Sequence, residues 1–184
     1  MKTIINNYIE ELRNTLKSLD TESIEEVAKK FKQVRDNNKQ VIVFGNGGSG
    51  STASHMVCDI VKGCSYGHEK RYRMICLNDN IPTLLAYSND VSYDEVFFEQ
   101  LKNFMQPGDI VLGISGSGNS KNIIKAIEYA NSCGNTTIGF TGFDGGVLKK
   151  IATISVNAMI DDMQISEDIH LTTLHILYKL LEQK

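Results

Sequence analysis

The sequence predicts a doubly wound α/β domain, with a mainly parallel five-stranded sheet, helices on both faces and a helical N-terminal arm. Three observations carry that reading. Apolar residues over 3–34 recur with the 3.6-residue period of amphipathic helices. From residue 40 onward, short apolar runs, mostly rich in β-branched residues and with little alternation, take over, as suits parallel strands buried on both faces. Helix-like stretches separate those runs, which is the pattern of right-handed crossover units.

In chain order, Ile4, Ile5, Tyr8, Ile9, Leu12, Leu16 and Leu19 form one stripe and predict a helix over 3–19. Asp20-Thr21 supplies a cap-like break. A second helix follows, with its stripe at Ile24, Val27, Ala28, Phe31 and Val34. Both stripes must be covered, so residues 1–36 are expected to pack on their own sheet or on another subunit. Strands are expected in QVIVF (40–44), YRMICL (72–77), DIVLGIS (109–115), TTIGFTG (136–142) and ATISVNA (152–158). Helices are expected over 51–62, 81–104, 120–132 and 163–182, the last with Ile165, Ile169, Leu174, Leu177 and Leu181 in its apolar stripe. The two prolines, Pro82 and Pro107, fall at element starts or turns. No linker, repeat or low-complexity tract interrupts residues 1–184, so a single domain is expected.

Composition narrows the function classes. Hydrophobic residues make up 41% and charged residues 22% of the 184, with a net charge of −3, ordinary for a globular chain. Basic residues are scattered, the densest cluster being Lys70, Arg71 and Arg73. That provides no general electrostatic basis for binding nucleic acid or an anionic membrane. No apolar run approaches the ~20 residues that span a bilayer. Glu10 and Glu11 stand where a signal peptide has its apolar core, so a cytoplasmic protein is expected. Cys58, Cys64, Cys76 and Cys133 lack CxxC spacing and read as buried, reduced thiols rather than a disulfide framework or zinc finger.

Two loops carry the chemistry. The first strand runs through Gly45-Asn46-Gly47-Gly48-Ser49-Gly50-Ser51 straight into a helix, and the third through Ser115-Gly116-Ser117-Gly118-Asn119-Ser120 into another. Ligands of open α/β sheets bind at the carboxyl ends of strands. Glycines there let backbone N–H groups approach an anion, and the helix adds its positive N-terminal end. Either loop alone is as readily a tight turn; the pair is harder to read that way. No Gly-Lys-Ser/Thr follows, so neither is a P-loop. Gly45, Gly47 and Gly50 match G-x-G-x-x-G, but the acidic residue of a dinucleotide site is missing about 20 residues on, Asp79 coming too late.

With GNGGS (45–49), His55 in the next helix, Asn89-Asp90, SGSGNS (115–120), TGFDGG (141–146) and the ending HILYKLLE in order, the chain resembles a sugar isomerase (SIS) domain of the phosphoheptose isomerase group. The resemblance covers nearly the whole chain, arm included. It implies the SIS fold, a homotetramer, and conversion of sedoheptulose 7-phosphate to D-glycero-D-manno-heptose 7-phosphate by proton transfer through an enediol. It implies that Ser115, Ser117 and Ser120 hold the phosphate and that Asn46, Gly47, Ser49, Asn89 and Asp90 bind the sugar. It also implies a zinc ion on His55, Asp59, Glu167 and His175, with Asp59, Glu167 and His175 as catalytic groups. His55 and Asp59, four apart, share a helix face, and Glu167 and His175, eight apart, are close in azimuth.

The chain departs from the family pattern in three places. The usual glutamate is Asp59, the usual glutamine is Glu167, and a commonly basic position falls at Gly63, with Lys62 beside it. His170 is expected to be structural, and 64–70, with His68, to be a mobile loop over the substrate. Two other readings stay open: a non-catalytic SIS protein that senses a phosphosugar or serves as an adaptor, and isomerisation of a pentose or hexose phosphate.

Overall fold

The computed structural model describes residues 1–182. Helices α1 (Lys2–Lys17) and α2 (Thr21–Asp36) lead into β1 (Gln40–Gly45), α3 (Gly47–Gly63) and β2 (Arg73–Cys76). Next come α4 (Ile81–Asp90), a single 3-10 turn (Tyr93–Glu95), α5 (Val96–Phe104) and β3 (Ile110–Ser115). Then follow α6 (Lys121–Ser132), β4 (Thr136–Gly142), α7 (Gly146–Ile151), β5 (Ile154–Ala158) and α8 (Met163–Glu182). The five strands pair in parallel in the order β2-β1-β3-β4-β5.

Strand residues alternate between two cores, which explains why their sequences do not alternate in polarity. Val41, Val43, Ile110, Leu112, Ile138 and Phe140 face a layer built by α2, α3 and α8. Ile42, Phe44 and Val111 face the opposite layer of α5, α6 and α7. The chain goes outward from β1 to β2, then crosses back to β3, so β1 and β3 flank the topological switch point. Gly45 pairs with Ile114 there. Both Gly/Ser loops therefore leave the sheet side by side, where open α/β folds bind ligands.

The first helix uses only part of its stripe. Tyr8 and Leu12 pack on Ile165 and Ile169 of α8, and the Tyr8 hydroxyl donates to Asp168 Oδ2 at 2.7 Å. That bond to a carboxylate pushes the phenol up to about 12. Ile4, Ile5 and Ile9 remain more than half exposed.

Three local expectations need correction. The stretch 81–104 is not one helix: it breaks at Val91, φ −121° and ψ −85°, before the 3-10 turn. α3 begins at Gly47 rather than residue 51, because its glycines wind the first turn. The short α7 has no long apolar rhythm and was not expected. The reading of all four cysteines as buried thiols also needs correction: Cys64 and Cys76 are buried, but Cys58 and Cys133 are exposed. Among the described residues no helix is long and apolar enough to cross a membrane.

Candidate active site

At the switch point a cavity of about 320 Å³ is lined by Asn46, Gly47, Gly48 and Ser49 of the first loop, and by Ser115, Ser117 and Ser120 of the second. Glu167 and Met163 of α8 close it. Two helix N-termini open here. Asn46 caps α3 and Ser120 caps α6, yet neither side chain bonds to its helix's first-turn N–H groups. Apart from the Ile123 N–H, which donates to Asn122 Oδ1 at 2.9 Å, those amides are unsatisfied by side chains and carry the positive end of the helix dipole, a ready site for a phosphate. Ser115 Oγ donates to Ser120 Oγ at 3.2 Å, and Ser117 Oγ accepts from the Asn119 N–H at 3.2 Å. The three hydroxyls thus share one short loop.

The TGFDGG segment buttresses that loop from behind. Gly142 N donates to Gly116 O at 2.7 Å, and Leu148 N to Gly118 O at 2.9 Å. Val147 N donates to Asn119 Oδ1 at 3.2 Å. The fit leaves no room for a methyl group at Gly118: a Cβ there would lie 2.0 Å from Gly145 O, on a backbone with φ +65°. Gly118→Ala should therefore cost about 2–4 kcal/mol and lower the melting temperature by roughly 5–12 °C, read by thermal denaturation. A melting point equal to that of the unsubstituted protein would mean the buttress is not rigid.

α3 and α8 run side by side in the same direction. Near their N-termini the Glu167 carboxylate packs on Gly48, so close that a Cβ on Gly48 would meet Glu167 Oε1 at 2.8 Å. Further along, His55 Nε2 lies 3.1 Å and His175 Nε2 3.9 Å from Asp59 Oδ2. The two imidazoles meet edge-on, with centroids 5.4 Å apart. One ligand atom from each of His55, Asp59 and His175 lies within 4.8 Å of the others. Such spacing matches donors around a small divalent ion held at about 2 Å, and two imidazoles with a carboxylate are a zinc-type donor set.

The structure thus brings His55, Asp59 and His175 together and leaves Glu167 out of that group, in the serine-lined cavity. Eight residues of helix leave the two side chains about 80° apart in azimuth and about 12 Å apart along the axis. Asn89 and Asp90 end α4 in solvent, where Asn89 Nδ2 donates to Asp90 Oδ1 at 2.7 Å; neither lines the cavity. Tyr93, just beyond, does reach the loop: its hydroxyl donates to Asn46 Oδ1 at 2.8 Å. At the departure at Gly63, the ring of Tyr178 lies where a side chain would stand, 2.3 Å from a built Cβ. Lys62 lines a neighbouring cavity of about 400 Å³ with Asp59, His175 and Tyr178. His68 lines a different hollow, beside Arg35 and Lys70.

His170 is buried beneath the site, and its Nε2 donates to Thr141 O at 3.0 Å. Its Nδ1 has no hydrogen-bond partner among the described residues, which favours the neutral ring, since protonation would bury an unpaired N–H. Burial lowers its pKa from the ordinary 6.5, opposed only by the Thr141 bond. The unfolded chain takes up this proton below about 6.5 and the folded one does not, so stability is full above that pH and falls as pH drops toward the lowered folded value. His170→Gln should flatten that part of a pH series of denaturation midpoints. An unaltered slope would place the titration elsewhere.

The SIS domain family matches residues 6–142. A protein named probable phosphoheptose isomerase from Thermoplasma acidophilum is 38% identical over 177 residues, 96% of this chain and 97% of that protein. A phosphoheptose isomerase of Geotalea daltonii is 38% identical over 149 residues, 80% of this chain and 77% of that one. Among solved structures, a phosphoheptose isomerase from Francisella tularensis superposes with a TM-score of 0.89 at 26% identity, covering 100% of this chain and 96% of that one.

Proposed function

We infer the activity from a family membership: this chain belongs to the SIS domain family, in its phosphoheptose isomerase group, whose enzymes are aldose–ketose isomerases. We propose sedoheptulose 7-phosphate as the ketose and D-glycero-D-manno-heptose 7-phosphate as the aldose. The observation that carries this reading is a pair of features along the adjacent helices α3 and α8: the serine-lined cavity with its phosphate donors at their N-termini, and the His55–Asp59–His175 cluster further along the same two helices. From Ser49 to His55 the helix advances about 9 Å, a span suited to a long sugar chain with its phosphate in the serine loop.

In this reading Ser115, Ser117, Ser120 and the α6 N-terminus hold the phosphate, while Asn46, the Gly47 backbone, Ser49 and Glu167 contact the sugar. The reaction moves one proton from C1 to C2 and another between the two oxygens, through an enediol. A substrate lying along the two helices meets the Glu167 carboxylate toward one end and the His175 imidazole with Asp59 toward the other. We assign the carbon proton to His175 and Asp59, and the hydroxyl contacts to Glu167. The family pattern has an amide in place of Glu167, and an amide cannot act as a base. His55, Asp59 and His175 would also hold zinc, which when bound supplies Lewis-acid polarisation of the carbonyl; an imidazole nitrogen that binds the ion cannot also take a proton, so His175 would act as base only when it is off the metal. Asn89 and Asp90 join the sugar site only if a neighbouring subunit brings them there. The four free cysteines fit a reducing, cytoplasmic setting.

The test offers the purified protein five-, six- and seven-carbon ketose phosphates and follows aldose formation. Fastest turnover of the seven-carbon substrate supports the reading. Turnover confined to a pentose or hexose phosphate would replace the substrate, and none at all would favour a sensor or adaptor.

Assembly is the second part of the proposal. Ile4, Ile5 and Ile9 on α1, with Ile81 and Leu85 on α4, are large apolar side chains more than half exposed. We propose that a homotetramer covers them. Light scattering should return four times the 20.5 kDa chain mass, and Ile5→Glu with Ile9→Glu should shift it to smaller species. A monomer at micromolar concentration would contradict this.

A further inference from the structure

We propose that Asn122 and Tyr93 are positioning residues that hold the Asn46 amide as a hydrogen-bond donor toward the sugar, recognising an acceptor oxygen of the substrate. The proposal rests on the reading above that Asn46 contacts the sugar. It starts from an anomaly at the start of α3. An asparagine at an N-cap ordinarily turns its side-chain oxygen onto the helix's own N–H groups. Asn46 does not, and makes no cap bond. Its Oδ1 accepts instead from Tyr93 Oη at 2.8 Å and from Asn122 Nδ2 at 2.9 Å. Its Nδ2 donates back to Asn122 Oδ1 at 2.9 Å.

The polarity of this amide pair is set by the backbone. Asn122 Oδ1 also accepts from the Ile123 N–H at 2.9 Å. A backbone N–H can only donate, so the atom facing it must be the Asn122 oxygen. Asn122 Nδ2 then faces Asn46 and must meet an oxygen, which fixes Asn46 Oδ1 there. The Tyr93 hydroxyl occupies the second lone pair of that oxygen. What remains of Asn46 is one N–H of Nδ2, on a residue that lines the cavity. The same arrangement keeps the Asn46 oxygen off the first-turn amides of α3, leaving them open to the ligand.

Asn122 is held firmly, whereas Tyr93 is more than half exposed and is placed by its turn. Asn122 is 2% exposed, in the first turn of α6. Tyr93 sits on the 3-10 turn that is tied to α6 by the ion pair of Glu95 with Lys125, and Lys125 also lies over the Phe98 ring, 4.9 Å from its centroid. Without these anchors Asn46 would be free to turn onto its own helix and present an oxygen, which repels an acceptor.

The test compares KM and kcat for sedoheptulose 7-phosphate with competitive inhibition by inorganic phosphate, in Asn122→Ala, Tyr93→Phe and Asn46→Ala. Inorganic phosphate needs the serine loop and the α6 N-terminus but not Asn46. A positioning role predicts KM raised about tenfold in Asn122→Ala and about threefold in Tyr93→Phe. It also predicts smaller changes in kcat, and phosphate inhibition constants within about twofold of the unsubstituted value. Tyr93→Phe is remote from the serine loop and removes a single hydroxyl, so it stands as evidence if Asn122→Ala folds poorly. Unchanged KM in both partner variants, with KM raised in Asn46→Ala, would overturn this inference while the proposed sugar site stands. Phosphate inhibition weakening in step with KM would make the residues structural props of the loop and overturn it as well. Unchanged KM in Asn46→Ala would remove Asn46 from the sugar site, and this inference with it.

Discussion

His175→Ala should lower isomerase turnover between about a hundredfold and ten-thousandfold, the range expected when a positioned proton-transfer group is removed, and should abolish zinc binding if the cluster holds the ion as proposed. Both effects come from one place: His175 Nε2 lies 3.9 Å from Asp59 Oδ2, and that oxygen lies 3.1 Å from His55 Nε2. Removing one imidazole leaves two donors from one helix face, too few for a firm zinc site. His55→Ala should cost zinc equally, because it takes away another of the three donors. The two roles of His175 separate when metal is stripped with a chelator. If stripped native protein keeps turnover that His175→Ala lacks, His175 acts in proton transfer; equal loss in both makes it a ligand. Glu167→Gln, which restores the amide usual in the family, should by contrast keep turnover within about tenfold, since it removes no group assigned to the carbon proton. Full turnover in His175→Ala would remove the cluster from the chemistry.

Replacing Ser117 and Ser120 together by alanine weakens phosphosugar binding by at least about tenfold, and by about 150-fold or more if both hydroxyls bond the phosphate, because hydrogen bonds to a charged group contribute about 1.5–3 kcal/mol each. Ser120 takes no part in capping α6, so its hydroxyl is available to the phosphate. Ser117 also accepts from Asn119 N at 3.2 Å, and some of its loss will appear in stability. Calorimetric titration separates the two, since the fold and the backbone amides remain. An unchanged dissociation constant would exclude this loop as the phosphate site.

Much of this arrangement was legible in the sequence, for identifiable reasons. Strands such as 40–44 and 109–115 are buried on both faces, so their apolar runs are unbroken and stand out. The two Gly/Ser loops were recognisable because close backbone approach demands glycine, as at Gly118. His55 and Asp59 could be paired because four residues of helix fix both azimuth and rise. Glu167 and His175 could not be placed by the same argument, since azimuth says nothing about an axial offset of about 12 Å. The start of α3 at Gly47 was hidden because its glycines are poor helix formers, held here by tertiary contacts. Asn122 and Tyr93 carry no periodic or motif signal. Their part depends on the fold bringing α6 and the 3-10 turn to Asn46, across 76 and 47 residues of chain.

In the proposed reaction, residues along α3 and α8 carry out an enediol isomerisation of a phosphorylated seven-carbon ketose. Its most direct test is an NMR time course of sedoheptulose 7-phosphate with the zinc-loaded protein in deuterium oxide. Aldose signals should grow in, with solvent deuterium at C2, because the proton taken from C1 exchanges on a solvent-accessible base before delivery. Ketose that remains chemically unchanged would rule out the isomerisation and leave a phosphosugar sensor or adaptor, and aldose with protium rather than deuterium at C2 would contradict proton transfer through a solvent-accessible base.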